Sequence, residues 1–176
     1  MAPACAMSDV IIAPTSYYPG YTPTVLNYAA TNGGMLIQVR GNPFEQATEG
    51  QLESEIARVM ASSHFGPRLP FITTVPDDSA SPYRVVVVFD PAQTVSSYKV
   101  CDGRQDSAAE RPEGMVRVHA VLCANDKPLT AVSGQARNVE TPGDAKFRQL
   151  IGQMSILLFP PKTDRGDQND RDAFPI

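Results

Sequence analysis

The most specific chemistry in this chain lies with three cysteines and two histidines among 176 residues. Cys101 and Cys123 each end a segment read as extended, and a charged loop lies between them. Bridged, they would close a loop of about 20 residues, worth roughly 3 kcal/mol in the chain-entropy description. That requires Cα atoms within about 7 Å of each other. Left reduced, the pair would be two small hydrophobes in a core. No Cys-x-x-Cys spacing offers a zinc knuckle or a thioredoxin-type dithiol. Cys5 stands alone in Ala2-Pro3-Ala4-Cys5, ahead of a proline-rich stretch.

The histidines are not spaced as metal ligands, since no pair sits at i, i+4 on a helix. His64 falls at the end of a predicted helix, where a cation suits the dipole. His119 falls on the polar side of a predicted strand. A structural or solvated role is expected for both, and His119 is the candidate base if the chain is an enzyme. Asp77, Asp78 and Asp90 could serve as acids at a sheet edge. Beside prolines, however, aspartates form turns by bonding the local backbone. Gly33-Gly34 leads into a strand, so no helix N-terminus is aimed at a phosphate. Ser133-Gly134 lacks the first glycine of a nucleophile elbow. Arg165-Gly166-Asp167 matches a cell-adhesion tripeptide, a short match with little specificity. No catalytic constellation and no cofactor site follow from these residues.

Bulk properties narrow the partners. The net charge is −4 and the isoelectric point about 5.1. A nucleic-acid partner would call for a basic face to displace counterions, so none is expected. No stretch approaches the roughly 18 apolar residues of a membrane span. No charged N-terminal region precedes an apolar core, so no intact signal peptide is expected.

The elements that must position these residues are legible in part. Residues 1–23 read as a proline- and tyrosine-rich tether, whose tyrosines could dock on a partner or on the domain itself. Val25–Ala30 and Met35–Arg40 flank Asn32-Gly33, which predicts a β-hairpin. Thr48 opens a helix, with Gln51 placed for a capping box and Leu52, Ile56, Val59 and Met60 along one face. Leu69–Val75 and Tyr83–Phe89 read as strands, the second central and covered on both faces. Ser97–Cys101 reads as a weaker extended piece, and 102–114 as a loop without fixed structure. Met115–Cys123 alternates, with Val116, Val118, Ala120 and Leu122 inward. Leu129–Val139 returns from a turn at 124–128, with Gly134 a candidate bulge. A last helix starts near Thr141-Pro142-Gly143-Asp144 and carries the stripe Phe147, Leu150, Ile151, Met154, Leu157 and Leu158. Residues 162–176 read as a disordered charged tail.

The expectation is a single α+β domain over 24–161. Its mostly antiparallel sheet of five to six strands would carry two helices on one face.

Small residues before Cys5, then a tether, then a domain, resemble the trimmed start of a bacterial lipoprotein. The hairpin, the Thr48 helix, the Tyr83–Asp90 strand and the Phe147–Phe159 helix are similar in layout to small periplasmic or outer-membrane lipoproteins of Gram-negative bacteria. This resemblance implies that Cys5 carries a lipid and that the domain sits in the oxidising periplasm or at the outer membrane, which favours the Cys101–Cys123 bridge. The resulting expectation is a non-catalytic, envelope-associated domain that binds another envelope protein. The alternatives are a small-ligand binder with a pocket between sheet and helices, a hydrolase using His119 or the aspartates, and a cytoplasmic location.

Overall fold

The computed structural model describes residues 8–64, 66–74, 81–104 and 110–161. The apolar run Tyr83–Phe89 forms the strand β5, buried from Val85 to Phe89. Around it the chain places β1 (Val10–Ile12), β2 (Ser16–Tyr17), α1 (Thr24–Thr31), β3 (Met35–Arg40), α2 (Glu49–Ser63) and β4 (Phe71–Ile72) before it. After it come α3 (Ser97–Cys101), β6 (Met115–Ala124), β7 (Lys127–Arg137) and α4 (Ala145–Leu158). The fold is α+β, with a sheet ordered β1-β7-β6-β5-β3-β4 and β2 also on β7. The expected antiparallel sheet of five to six strands is corrected to a mixed sheet of seven, because β3 runs parallel to both β4 and β5. The physical reason is α2, which lies between β3 and its neighbours in the chain. A helical crossover returns the chain to the end where it started, and the next strand is then parallel.

Two helices on one face is corrected as well. Side chains of α1, α2 and α4 share one core with Val85, Val87 and Phe89 of β5 and Val116, Val118, Ala120 and Leu122 of β6. The other face carries a smaller cluster built on α3, with Val86, Val88, Val121, Ala131 and the cysteines. α2 forms as its sequence predicts. The Gln51 N–H donates to Thr48 Oγ1 at 3.2 Å, and the Thr48 N–H donates to Gln51 Oε1 at 2.9 Å. Leu52, Ile56, Val59 and Met60 are its buried residues. The stripe of α4 is buried at Phe147, Leu150, Ile151, Met154 and Leu158, each worth roughly 1.5–3 kcal/mol when removed from water. Its N-cap is Asp144 rather than Thr141. The Asp144 carboxylate accepts from the backbone N–H of Glu140 (2.7 Å) and Thr141 (3.0 Å), closing the turn before the helix.

Three segments depart from expectation. Residues 24–31 form a helix instead of a hairpin arm, burying Val25, Leu26 and Ala29. That spacing is helical, and a positive-φ glycine ends a helix as readily as it turns a hairpin. Gly33 (φ 91°) and Gly34 (φ 121°) supply that exit, and the Gly34 N–H donates back to the Ala29 carbonyl at 2.9 Å. A Cβ on Gly34 would lie 2.5 Å from the Pro70 carbonyl oxygen. Ser97–Cys101 is the helix α3, not an extended piece. The tether expected over 1–23 is part of the sheet from residue 10, so the domain starts before 24. β1 pairs Val10 with Ala136, and β2 pairs Tyr17 with Thr130. Without these two strands the long edge of β7 would be bare, an invitation to aberrant pairing. Pro14 falls in the gap between them, where no ladder bond is needed. Tyr21 is buried, and its hydroxyl donates to the Pro160 carbonyl at 2.7 Å. Residues 1–7 and 162–176 lie outside the described residues.

Gly134 is no bulge, since the β6–β7 register slips between Leu122 and Cys123 instead. A Cβ at Gly134 would meet Leu150 Cδ1 at 2.7 Å and Met154 Sδ at 3.2 Å, so the missing side chain lets α4 lie close on the sheet. Gly134→Ala is therefore expected to lower unfolding free energy by about 1–3 kcal/mol in urea titration. Gly50→Ala meets open space on α2 and should raise it by up to about 1 kcal/mol. Equal effects at the two positions would contradict this packing.

Candidate functional site

The face away from the large core collects the residues singled out above. Alternation along β6 puts Arg117, His119, Val121 and Cys123 on this side, opposite to Val116, Val118, Ala120 and Leu122. Antiparallel pairing sets Gln135 against Arg117, Ser133 against His119 and Ala131 against Val121. α3 packs across β6 and β7.

Cys101 ends α3, and Cys123 lies near the end of β6. They form a disulfide with an S–S distance of 2.01 Å and Cα atoms 5.6 Å apart. Both are buried. Arg84 of β5 ties the same corner together. It donates to Gln38 Oε1 (3.1 Å), to the Asn125 carbonyl (2.7 Å) and to the Cys101 carbonyl. The guanidinium thus ties β3, the β6–β7 turn and α3 to the corner that the bridge closes covalently.

His119 is buried rather than solvated, with 6% of its surface exposed. Its Nδ1 lies 2.7 Å from Ser133 Oγ and its Nε2 lies 3.1 Å from Ser97 Oγ. Burial pulls its pKa down to about 4, so the ring is neutral near pH 7. Neutral imidazole offers one donor and one acceptor, and two hydroxyls satisfy both. Ser97 is buried, while Ser133 is exposed. Beside Ser133 opens a cavity of about 350 Å³, lined also by Ile11, Gln93, Val95, Arg117 and Gln135. Arg117 donates through Nη2 to the Glu110 carbonyl at 3.1 Å, and its buried Nε has no acceptor.

The other predicted residues do not join this group as a carboxylate would. Asp90 caps the end of β5 with φ at 45°, and its carboxylate accepts from the Arg117 backbone N–H at 3.4 Å. Burial pushes its pKa up, against the pull of Arg111 and Arg117. Asp77 and Asp78, Cys5 and Arg165-Gly166-Asp167 lie outside the described residues. His64 is the C-cap of α2, with its ring 5.4 Å from that of Phe71 and 6.3 Å from that of Phe159. It lines a separate cavity of about 680 Å³ with Arg58 and Arg68. Between the sheet and helices α1, α2 and α4 pack core side chains such as Phe89, Phe147 and Leu150. Among the described residues, no group of three His, Cys, Asp or Glu could hold a metal ion, and no helix is long and apolar enough to cross a membrane.

Ser97 and Ser133 are the residues that sequence reasoning missed. Ser133 was hidden, because the register set by the turn would pair His119 with Val132, and only the slip between Leu122 and Cys123 brings Ser133 opposite it. Ser97 was hidden too, since it depends on α3 being a helix.

No family model and no curated protein matches the chain. Two solved structures of the PelC dodecamer from Paraburkholderia phytofirmans, one of them a point variant, are similar at 10% identity, with TM-scores of 0.42 and 0.41. The match covers 86% of this chain and 95–96% of theirs. Likeness at this level says nothing further about the site.

The buried histidine has a pH signature. Unfolded, it titrates near 6.5, and folded near 4. Above pH 6.5 both states are neutral and contribute no slope. Between 6.5 and 4 the unfolded chain binds a proton that the folded one refuses, so stability falls with pH, by about 3 kcal/mol in all. His119→Gln removes this component. The wild-type-minus-variant unfolding free energy should fall by about that amount from pH 7 to 4; a constant difference would contradict the burial.

Proposed function

We propose that this is an exported, envelope-associated domain that works by binding another protein through the face carrying α3. The observation that carries the reading is the disulfide under α3. Two cysteines buried and bridged suit an oxidising compartment such as the periplasm, where disulfides persist. The same helix presents Tyr98, 53% exposed, with the Tyr18 ring 5.5 Å away edge-on. Ile11 of the adjoining edge is 47% exposed. Aromatic side chains on a rigid support are common anchors of protein interfaces, because they bury much area at little entropic cost. Cys5 is the site proposed for a lipid anchor, which would hold the domain at the outer membrane. The partner is proposed to be another envelope protein, and neither nucleic acid nor a cofactor enters the reading.

Two measurements on protein from its native host check it. Mass spectrometry after alkylation without reduction should find Cys101 and Cys123 unalkylated and joined, and Cys5 acylated. Free thiols at 101 and 123 would remove the compartment, and an unmodified Cys5 the anchor. A photo-crosslinking amino acid at position 98 should give one discrete adduct in envelope fractions. Placed at Ser54, exposed on α2, it should give none. Identical patterns at both positions would overturn the binding surface.

A further inference from the structure

Beyond binding, we infer that Ser133 is an activated nucleophile, and that the cavity beside it accepts a small ester or other activated acyl group. The observations are geometric. An exposed hydroxyl lies 2.7 Å from a buried imidazole nitrogen, and the other ring nitrogen is held by a second hydroxyl at 3.1 Å. A nucleophile within hydrogen-bond reach of a base, with the base oriented by a third group, is the arrangement nucleophilic catalysis requires. The expectation of a non-catalytic domain rested on absent sequence motifs. These three residues stand on α3, β6 and β7, so no local motif could have announced them.

With the proton on Nε2, His119 donates to Ser97 Oγ and presents Nδ1 to Ser133 as an acceptor. Ser133 Oγ forms a bond to the acyl carbon while its proton passes to Nδ1. The carbonyl π pair moves onto oxygen. When that pair returns, the bond to the leaving alkoxide breaks, and the alkoxide takes the proton from Nδ1. Water then attacks acyl-Ser133, with its proton going to Nδ1 and on to the Ser133 oxygen. The products are a carboxylic acid, an alcohol and the restored serine. Arg117 lines the cavity and brings a positive charge to it, which favours a negatively charged oxygen there. Ile11 and Val95 line the same cavity and offer apolar contact for the acyl chain. Its volume of about 350 Å³ falls at the small end of ligand sites. Ser97 is a positioning residue, since its hydroxyl acts on Ser133 through the imidazole.

The test is labelling of the intact, oxidised protein by an alkyl fluorophosphonate, mapped by peptide mass spectrometry. Ser133 should react roughly 10²-fold faster than the exposed Ser62, the gain a positioned base supplies. His119→Gln should remove that gain. Ser97→Ala should reduce it, and Ser97→Thr, which keeps the hydroxyl, should restore it. If His119→Gln fails to fold, the pH profile of the wild type decides: the rate should be constant from pH 8 to about 5 and fall as the imidazole protonates near 4. Ser133 labelled no faster than Ser62, or a rate that rises steadily with pH as a free hydroxyl's does, would overturn the inference.

Discussion

The bond between Cys101 and Cys123 does for one face of the sheet what apolar area does for the other. β6 is buried at every residue from Val118 to Cys123, so the sheet must be covered on both sides. Among the described residues, thirty buried hydrophobic ones form the cluster on the side of α1, α2 and α4. On the other side there are seven, two of them the bridged cysteines. A cluster that small does not repay the ordering of an irregular segment by burial alone. A covalent link across 22 residues of chain lowers the entropy of the unfolded state instead. α3 is one five-residue helix and would be marginal in isolation. Its position depends on the bridge at its last residue and on Arg84 bonding the same carbonyl.

That dependence reaches the chemistry. Ser97 opens α3 and Cys101 closes it, so the link that fixes the helix also sets Ser97 against His119. Burial keeps the imidazole neutral, and the paired hydroxyls keep its two nitrogens satisfied. Tyr98 is exposed on the same short helix. The surface proposed for a partner and the serine proposed for acyl chemistry therefore share one support.

Legibility in the sequence followed the length over which a pattern could repeat. α2 and α4 span four turns, and their apolar residues repeat at helical spacing. β5 carries a β-branched run, and β6 alternates, so both could be read directly. The same β6 pattern hid the burial of its second face, because Arg117 and His119 look like solvent-facing residues until α3 is placed over them. α3 is too short for periodicity, and the one helical repeat in α1 was outweighed by the Asn-Gly turn signal and by Val and Tyr that suit strands as well. The parallel pairs of β3 were missed because α2 was legible as a helix but not as the crossover that returns the chain beside β3. In the site, the cysteine pair was legible because few roles exist for it. The Ser133–His119 contact was hidden by the register slip between Leu122 and Cys123, and Ser97 was invisible.

The central claim is that the face carrying α3 is held covalently while the opposite face is held by its core. Amide hydrogen exchange on oxidised and phosphine-reduced protein tests it most directly. After reduction, residues 95–104 should exchange at least about tenfold faster, while Leu52–Met60 of α2 and Phe147–Leu158 of α4 keep their protection. Unchanged exchange at 95–104, or loss of protection in α2 and α4 along with it, would contradict the account.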